Sequence, residues 1–145
     1  MNIILFASGT GSNVYNIIQH FKSNDSINVV AVLCNKAGAG ALNHAKNAGI
    51  PTLTFSKEEL DNSIKVEEFL AERKVDLVIL AGFLLKVPQS LIDLYPNKII
   101  NLHPALLPDY GGKGMYGMNV HNAVIAAKEK KSGITIHLVN ERYDE

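Results

Sequence analysis

The chain reads as short apolar runs separated by polar, glycine-rich turns and by stretches in which apolar residues recur every three or four positions. Ile3 to Ala7 is apolar throughout. It leads through Ser8-Gly9-Thr10-Gly11-Ser12-Asn13 into Val14, Ile17, Ile18 and Phe21, which mark one face of a helix. Val29 to Leu33 is a second, nearly continuous apolar run, as expected of a parallel strand covered on both faces. Leu42, Ala45 and Ala48 stand at helical spacing with Gly49 as the stop, and Pro51 to Phe55 reads as a short third strand. Ser56, with Glu59 three positions on, fits a capping box that opens a helix to about Lys74. Val75 to Ala81 and Ile99 to Leu102 are the fourth and fifth strands. Between them lie an apolar loop over 82–87 and a short helix with Pro88 at its first position, running through Tyr95. A helix over Val120 to Lys130 and an alternating, half-buried strand over Ile134 to Leu138 complete the series.

Strands alternating with helices in this way predict an α/β fold, a doubly wound and mostly parallel sheet with helices on both faces. In such sheets ligands bind beyond the carboxyl ends of the strands. Ile99-Ile100-Asn101-Leu102-His103 is notable there, because period two puts the amide of Asn101 and the imidazole of His103 on one side of the strand and Ile100 and Leu102 on the other. The same pair is compatible with a purely structural role. A loop with four glycines at 111, 112, 114 and 117 follows directly.

Composition narrows the class. At 145 residues and 47% hydrophobic the chain suits one domain with one sizeable core. Fourteen basic and fourteen acidic residues cancel, so no global field recruits nucleic acid or a membrane surface, and a charged ligand must be caught locally. Cys34 is the sole cysteine, which excludes an internal disulfide and a multi-thiolate metal site and fits a reducing, cytoplasmic setting. The start, Met1 to Phe6, lacks a basic segment and turns polar by Ser8, too soon for a signal peptide or a membrane span.

Exclusion narrows the chemistry. Gly9-Thr10-Gly11-Ser12-Asn13 has Val14 where a dinucleotide fingerprint needs its third glycine, and no acid stands near the end of the second strand. A Walker sequence is absent, since Gly112-Lys113 lacks both the preceding glycine, where Leu107 stands, and the hydroxyl residue that should follow. A strand, a glycine turn and a helix start can hold a single phosphate on N–H groups with Ser12 and Asn13. The same residues equally describe a tight turn in which Ser12 or Asn13 caps the helix. No histidine pair has metal-ligand spacing with an acid nearby, no Gly-x-Ser-x-Gly elbow occurs, and His20, His44, His121 and His137 are read as satisfied core histidines. Acyl chemistry without an enzyme nucleophile remains open. Asn101 can donate to a developing oxyanion, and His103, if cationic, can do the same or pass a proton. The 83–87 run reads either as an apolar loop packing on a neighbour or as a slot for a flat ring.

Three motifs in order, Ser8-Gly9-Thr10-Gly11-Ser12-Asn13, Leu80-Ala81-Gly82-Phe83 and Asn101-Leu102-His103-Pro104-Ala105-Leu106-Leu107-Pro108, give the chain a resemblance to the phosphoribosylglycinamide formyltransferase family of the formyltransferase superfamily. The resemblance spans essentially the whole chain. It implies a Rossmann-like formyltransferase fold and transfer of the formyl group of 10-formyltetrahydrofolate to the amine of glycinamide ribonucleotide in purine (IMP) biosynthesis, by direct attack and a tetrahedral intermediate. It implies phosphate binding at Gly11, Ser12 and Asn13, catalysis by Asn101, His103 and Asp144, and folate contacts from Leu84, Leu85, Lys86, Val87, Asn101 and, more weakly matched, Lys57. Asp144 would hold His103 charged. The partners implied are small molecules, with no metal, no nucleic acid and no membrane, and with room for a homodimer. Formyltetrahydrofolate hydrolase shares the asparagine, histidine and aspartate but carries an extra amino-terminal domain, for which a first strand at Asn2 leaves no space. Methionyl-tRNA formyltransferase shares the His-Pro-x-Leu-Leu-Pro run but needs a larger, basic chain. An inactive nucleotide- and folate-binding relative is the remaining alternative. The loop from Gly111 to Met118 is longer than the usual family form. The family pattern also continues beyond the Asp144 position, so the expectation is a single domain over 1–145, truncated at its carboxyl end.

Overall fold

The computed structural model describes residues 1–142. Strands β1 (Asn2–Ala7), β2 (Asn28–Cys34), β3 (Thr52–Thr54), β4 (Leu77–Leu80), β5 (Ile99–His103) and β6 (Thr135–Leu138) form one sheet in the order β3-β2-β1-β4-β5-β6. All neighbours are parallel except β5 and β6, which run antiparallel. The helices are α1 (Ser12–Phe21), α2 (Gly40–Asn47), α3 (Lys57–Asn62), α4 (Ile64–Glu72), α5 (Gln89–Leu94) and α6 (Met118–Ala126).

The strands alternate between two cores. Ile4 and Phe6 of β1, Leu33 of β2, Val78 and Leu80 of β4 and Ile99 of β5 face one side, where Leu60, Val66, Leu70, Leu91 and Ile92 from α3, α4 and α5 cover them. Leu5, Ala7 and Val32 face the other, packed with Val14 and Ile18 of α1 and Ala41 and Ala45 of α2. Helices on both faces make the predicted doubly wound fold. The strand order reverses between β1 and β4, and at that reversal the connections leave the sheet in opposite directions and open a crevice.

Three elements differ from the sequence expectation for physical reasons. The helix expected over 56–74 opens with the capping box at Ser56 and Glu59 but breaks at Ser63, whose φ of 61° lies in the left-handed region. Leu60 and Val66 are six residues apart, which on a continuous helix puts them on different sides, and the break resets the phase so that both reach the core. The buried Ser63 hydroxyl bonds the Glu67 carboxylate and the Ser90 hydroxyl, so the interruption leaves no orphan polar group. Pro88 is the N-cap of α5 rather than its first residue. The helix expected over 120–130 ends at Ala126, with Lys128 at a φ of 55° just beyond it.

The sixth strand alternates as expected, but its apolar side is the outer one. Asn101 pairs with His137 and His103 with Thr135, so the polar residues of β6 lie on the side of the Asn101/His103 pair, while Ile136 (61% exposed) and Leu138 (49%) face away.

Candidate active site

The crevice is built from the ends of β1, β4 and β5. Ser8, buried at the end of β1, donates its N–H to Gly82 O (3.1 Å), and its hydroxyl accepts from Leu84 N (2.9 Å), which ties the β1 turn to the loop after β4. Beyond Ser8 the chain turns at Gly11, the N-cap of α1, with φ 78°. A Cβ there would lie 2.4 Å from Ala41 Cα, so glycine is required both by the backbone and by the close approach of α2. The helix start has no side-chain cap, which removes the reading of Ser12 or Asn13 as an N-cap. Both are exposed and line a cavity of about 300 Å³. First-turn N–H groups with no side-chain acceptor, flanked by a hydroxyl and an amide, form an anion-ready surface.

The same cavity contains Asn101 and His103, together with Gly82, Phe83 and Leu84 from the β4 loop and Met115, Tyr116, Gly117 and His121 from the glycine-rich segment. His103 is 3% exposed, and its Nε2 lies 2.8 Å from Tyr110 O. A carbonyl only accepts, so Nε2 carries a proton and donates it there, leaving Nδ1 as the ring's other functional position. Tyr110 is itself anchored, since its phenol donates to Glu129 Oε1 at 2.9 Å, a bond that holds the phenol above its usual pKa. Thr135 opposite His103 donates to Ala105 O (2.6 Å) and accepts from Leu107 N (3.0 Å), pinning the proline-rich turn after β5. Asn101 Nδ2 lies 3.0 Å from His137 Nε2.

A second, smaller cavity, about 50 Å³, shares Asn101 and Phe83 with the first and is lined by Leu85, Lys86, Val87, His137 and Arg142 among others. Of the four loop residues expected at a folate, Leu85, Lys86 and Val87 line this cavity. Leu84 turns to the larger one, with its N–H already committed to Ser8. Small-molecule pockets usually begin near 300 Å³, so this cavity as it stands is smaller than a whole ligand site. Lys57 lines neither cavity: on the exposed start of α3 it pairs with Asp61, whose hydrogen bond pushes the ammonium pKa up. Asp144 lies outside the described residues, and among those that are described no carboxylate lines either cavity. A cleft of about 330 Å³ between α1 and α2 is as large as the main cavity but holds none of the site residues, so volume alone does not locate the chemistry.

The structure places Ser12, Asn13, Asn101 and His103, singled out from the sequence, around one cavity, and adds beside them His121, Thr135, His137 and Tyr110, which the sequence did not single out. The last three act through the pairing register of β6 or through a backbone carbonyl, neither of which leaves a mark in composition or spacing. No group of three or more His, Cys, Asp or Glu residues that could hold a metal ion occurs among the described residues, and no helix among them is long and apolar enough to cross a membrane.

A half-buried amide and a buried imidazole on β5, sharing one cavity with the uncapped α1 turn beside the reversal of strand order, define a small-molecule site in an open α/β domain. The chain belongs to the formyl transferase family, whose sequence profile matches residues 1–145. It is 42% identical over 149 aligned residues to the chloroplastic phosphoribosylglycinamide formyltransferase of Arabidopsis thaliana, covering 98% of this chain and 51% of that protein. With the phosphoribosylglycinamide formyltransferase of Haemophilus influenzae it shares 33% identity, over 98% of this chain and 67% of the relative. The crystal structure of phosphoribosylglycinamide formyltransferase from Anaplasma phagocytophilum superimposes with a TM-score of 0.89 at 34% identity, over 99% of this chain and 67% of that one. The chain thus spans about half the length of the plant relative and two thirds of the bacterial ones.

Proposed function

We propose that the protein transfers the formyl group of 10-formyltetrahydrofolate to the terminal amine of glycinamide ribonucleotide, a step of de novo purine synthesis. The observation that carries this reading is that one cavity joins the uncapped α1 turn at Ser12 and Asn13 to Asn101 and His103. A ribonucleotide phosphate held on the turn leaves its other end directed along the cavity toward the amide and imidazole. The names of the relatives support the same substrates.

The residues act on charge. Attack of the amine on the formyl carbon makes a tetrahedral oxyanion, and the Asn101 amide and a cationic His103 stabilise it, each such donor contributing about 3 kcal/mol. With Nε2–H of His103 fixed on Tyr110 O, proton exchange with the reacting amine falls to Nδ1. Asp144 is the carboxylate that would keep the ring charged. Leu85, Lys86 and Val87 border the smaller cavity and would hold the pterin edge, and Lys57, which lies outside both cavities and pairs with Asp61 on the surface, would meet only a part of the folate that extends beyond them. The buried sole cysteine, Cys34, supports a reducing compartment such as the cytoplasm.

The test is to incubate the protein with 10-formyltetrahydrofolate, with and without glycinamide ribonucleotide, and to follow release of tetrahydrofolate. Nucleotide-dependent release is the expected result. Release without nucleotide would mean a hydrolase, and no release in either arm a binding module.

A further inference from the structure

Asn101 is, with Phe83, a wall shared by the two cavities, and its amide is a two-ended group. The NH2 end donates and the oxygen accepts, yet only the donating end can stabilise an oxyanion. The two ends have nearly the same shape, so packing alone does not choose between them, and a hydrogen-bond partner must.

That partner stands opposite on the neighbouring strand. The β5–β6 register pairs Asn101 with His137, and His137 Nε2 lies 3.0 Å from Asn101 Nδ2. The second ring nitrogen, Nδ1, lies 3.3 Å from Leu138 O. A carbonyl oxygen only accepts, so Nδ1 must carry a proton to bond it. In the neutral ring that leaves a bare lone pair at Nε2, which accepts one N–H of Asn101. Both bonds are satisfied together only by the neutral Nδ1–H tautomer. With the ring in that neutral tautomer, turning the amide over would set Oδ1 against the Nε2 lone pair, acceptor against acceptor, and would point the NH2 end away from the ring.

We propose that His137 is a positioning residue, whose bare Nε2 fixes the Asn101 amide with its NH2 end toward the site, so that one N–H is held by the ring and the second is left for the reacting carbonyl oxygen. The proposal rests on the formyl-transfer reading for its consequence in catalysis, but the tautomer and the amide orientation exist without substrate. It also gives the two histidines opposite assignments. His103 donates from Nε2 to a carbonyl, and His137 accepts at Nε2 from an amide.

Nitrogen-15 correlation spectra of the imidazole rings in the full chain read the tautomer directly, and His137 is expected to be protonated at Nδ1 and bare at Nε2. In the transfer assay His137→Leu is expected to lower kcat by roughly ten- to a hundredfold, the size of loss seen when a hydrogen-bond partner that orients a metal ligand is removed, with KM for the folate little changed. His137→Gln, which can offer Oε1 as acceptor, should recover most of that loss. In an Asn101→Ala background His137→Leu should cost nothing further, because the group it orients is gone. A ring protonated at Nε2, wild-type turnover in His137→Leu, or an undiminished loss in the Asn101→Ala background would overturn the proposal. If the wild-type chain shows no turnover, the formyl-transfer reading fails, and the ring spectra, with the Asn101 side-chain amide shifts in His137→Gln, still decide the orientation.

Discussion

The two halves of the sheet carry hydrophobic residues in opposite ways. In β1 and β2, from Ile3 through Ala7 and from Ala31 through Cys34, every residue is buried, and helices close both faces. In β6 the apolar residues Ile136 and Leu138 point outward while Thr135 and His137 turn toward the site. The first half uses its side chains for packing and offers chemistry only through a backbone turn. The second turns the polar side chains of β6 toward the site, where they hold Ala105 O, Leu107 N and Asn101 in place. The proposed transfer reaction calls on both kinds of wall, one rigid enough to present N–H groups and one polar enough to orient an amide and an imidazole.

The largest effect expected from breaking the polar half is on turnover. His103→Ala removes the buried ring and should lower kcat about a hundredfold or more in the formyl-transfer assay, with the midpoint of urea unfolding monitored alongside. Breaking the packed half should instead cost stability. Gly11→Ala forces an L side chain into φ 78° and against Ala41 Cα at 2.4 Å, and denaturant unfolding should report a loss of about 3 kcal/mol or outright misfolding. Ile4→Thr puts a hydroxyl in a fully buried position among Phe6, Leu33 and Val78, and should cost about 2–3 kcal/mol by the same measurement. Ser12→Ala, one residue from Gly11 but exposed, should leave stability unchanged and weaken nucleotide binding about tenfold by calorimetry, the size of one hydrogen bond to a charged group. If Ser12→Ala destabilised the fold as Gly11→Ala does, the turn would be structural and the division between the halves would collapse.

How far the sequence spoke follows the same division. The apolar runs of β1, β2 and β4 and the helical spacing of Val14 and Ile18 announced strands and helices that the structure contains, because full burial leaves an unbroken apolar signature. Asn101 and His103 were visible as polar residues where an apolar strand should continue. His137 was not, since an isolated histidine in an alternating strand carries no sign of its cross-strand neighbour, and register is a tertiary quantity. The break at Ser63 was legible in principle from the six-residue step between Leu60 and Val66, but the capping box at Ser56 is a local signal that says nothing about where its helix ends. Lys57 illustrates the reverse case: motif resemblance nominated it, and its position on the exposed start of α3, paired with Asp61 and outside both cavities, carries no geometric sign of a site.

The smallest predicted effect sharpens the contrast most. Ile136→Thr makes the same chemical change as Ile4→Thr, in a strand of the same sheet, at a residue that is 61% exposed instead of buried. Replacing an ethyl group by a hydroxyl at a site already in water sacrifices little transfer free energy, the new hydroxyl keeps its hydration, and threonine suits a strand as isoleucine does. The expected change in unfolding free energy is therefore within about 0.5 kcal/mol. Period-two alternation assigns residues 134–138 to two sides but is blind to which side faces the core, because both phases produce the same pattern. What selects the phase is the register that sets His137 against Asn101 and Thr135 against His103, so that the strand's polar side serves the site. A loss for Ile136→Thr comparable to that for Ile4→Thr would mean that the outer side of β6 is a packed surface in the folded protein, and the phase would then be set by hydrophobic burial rather than by the polar contacts of the site.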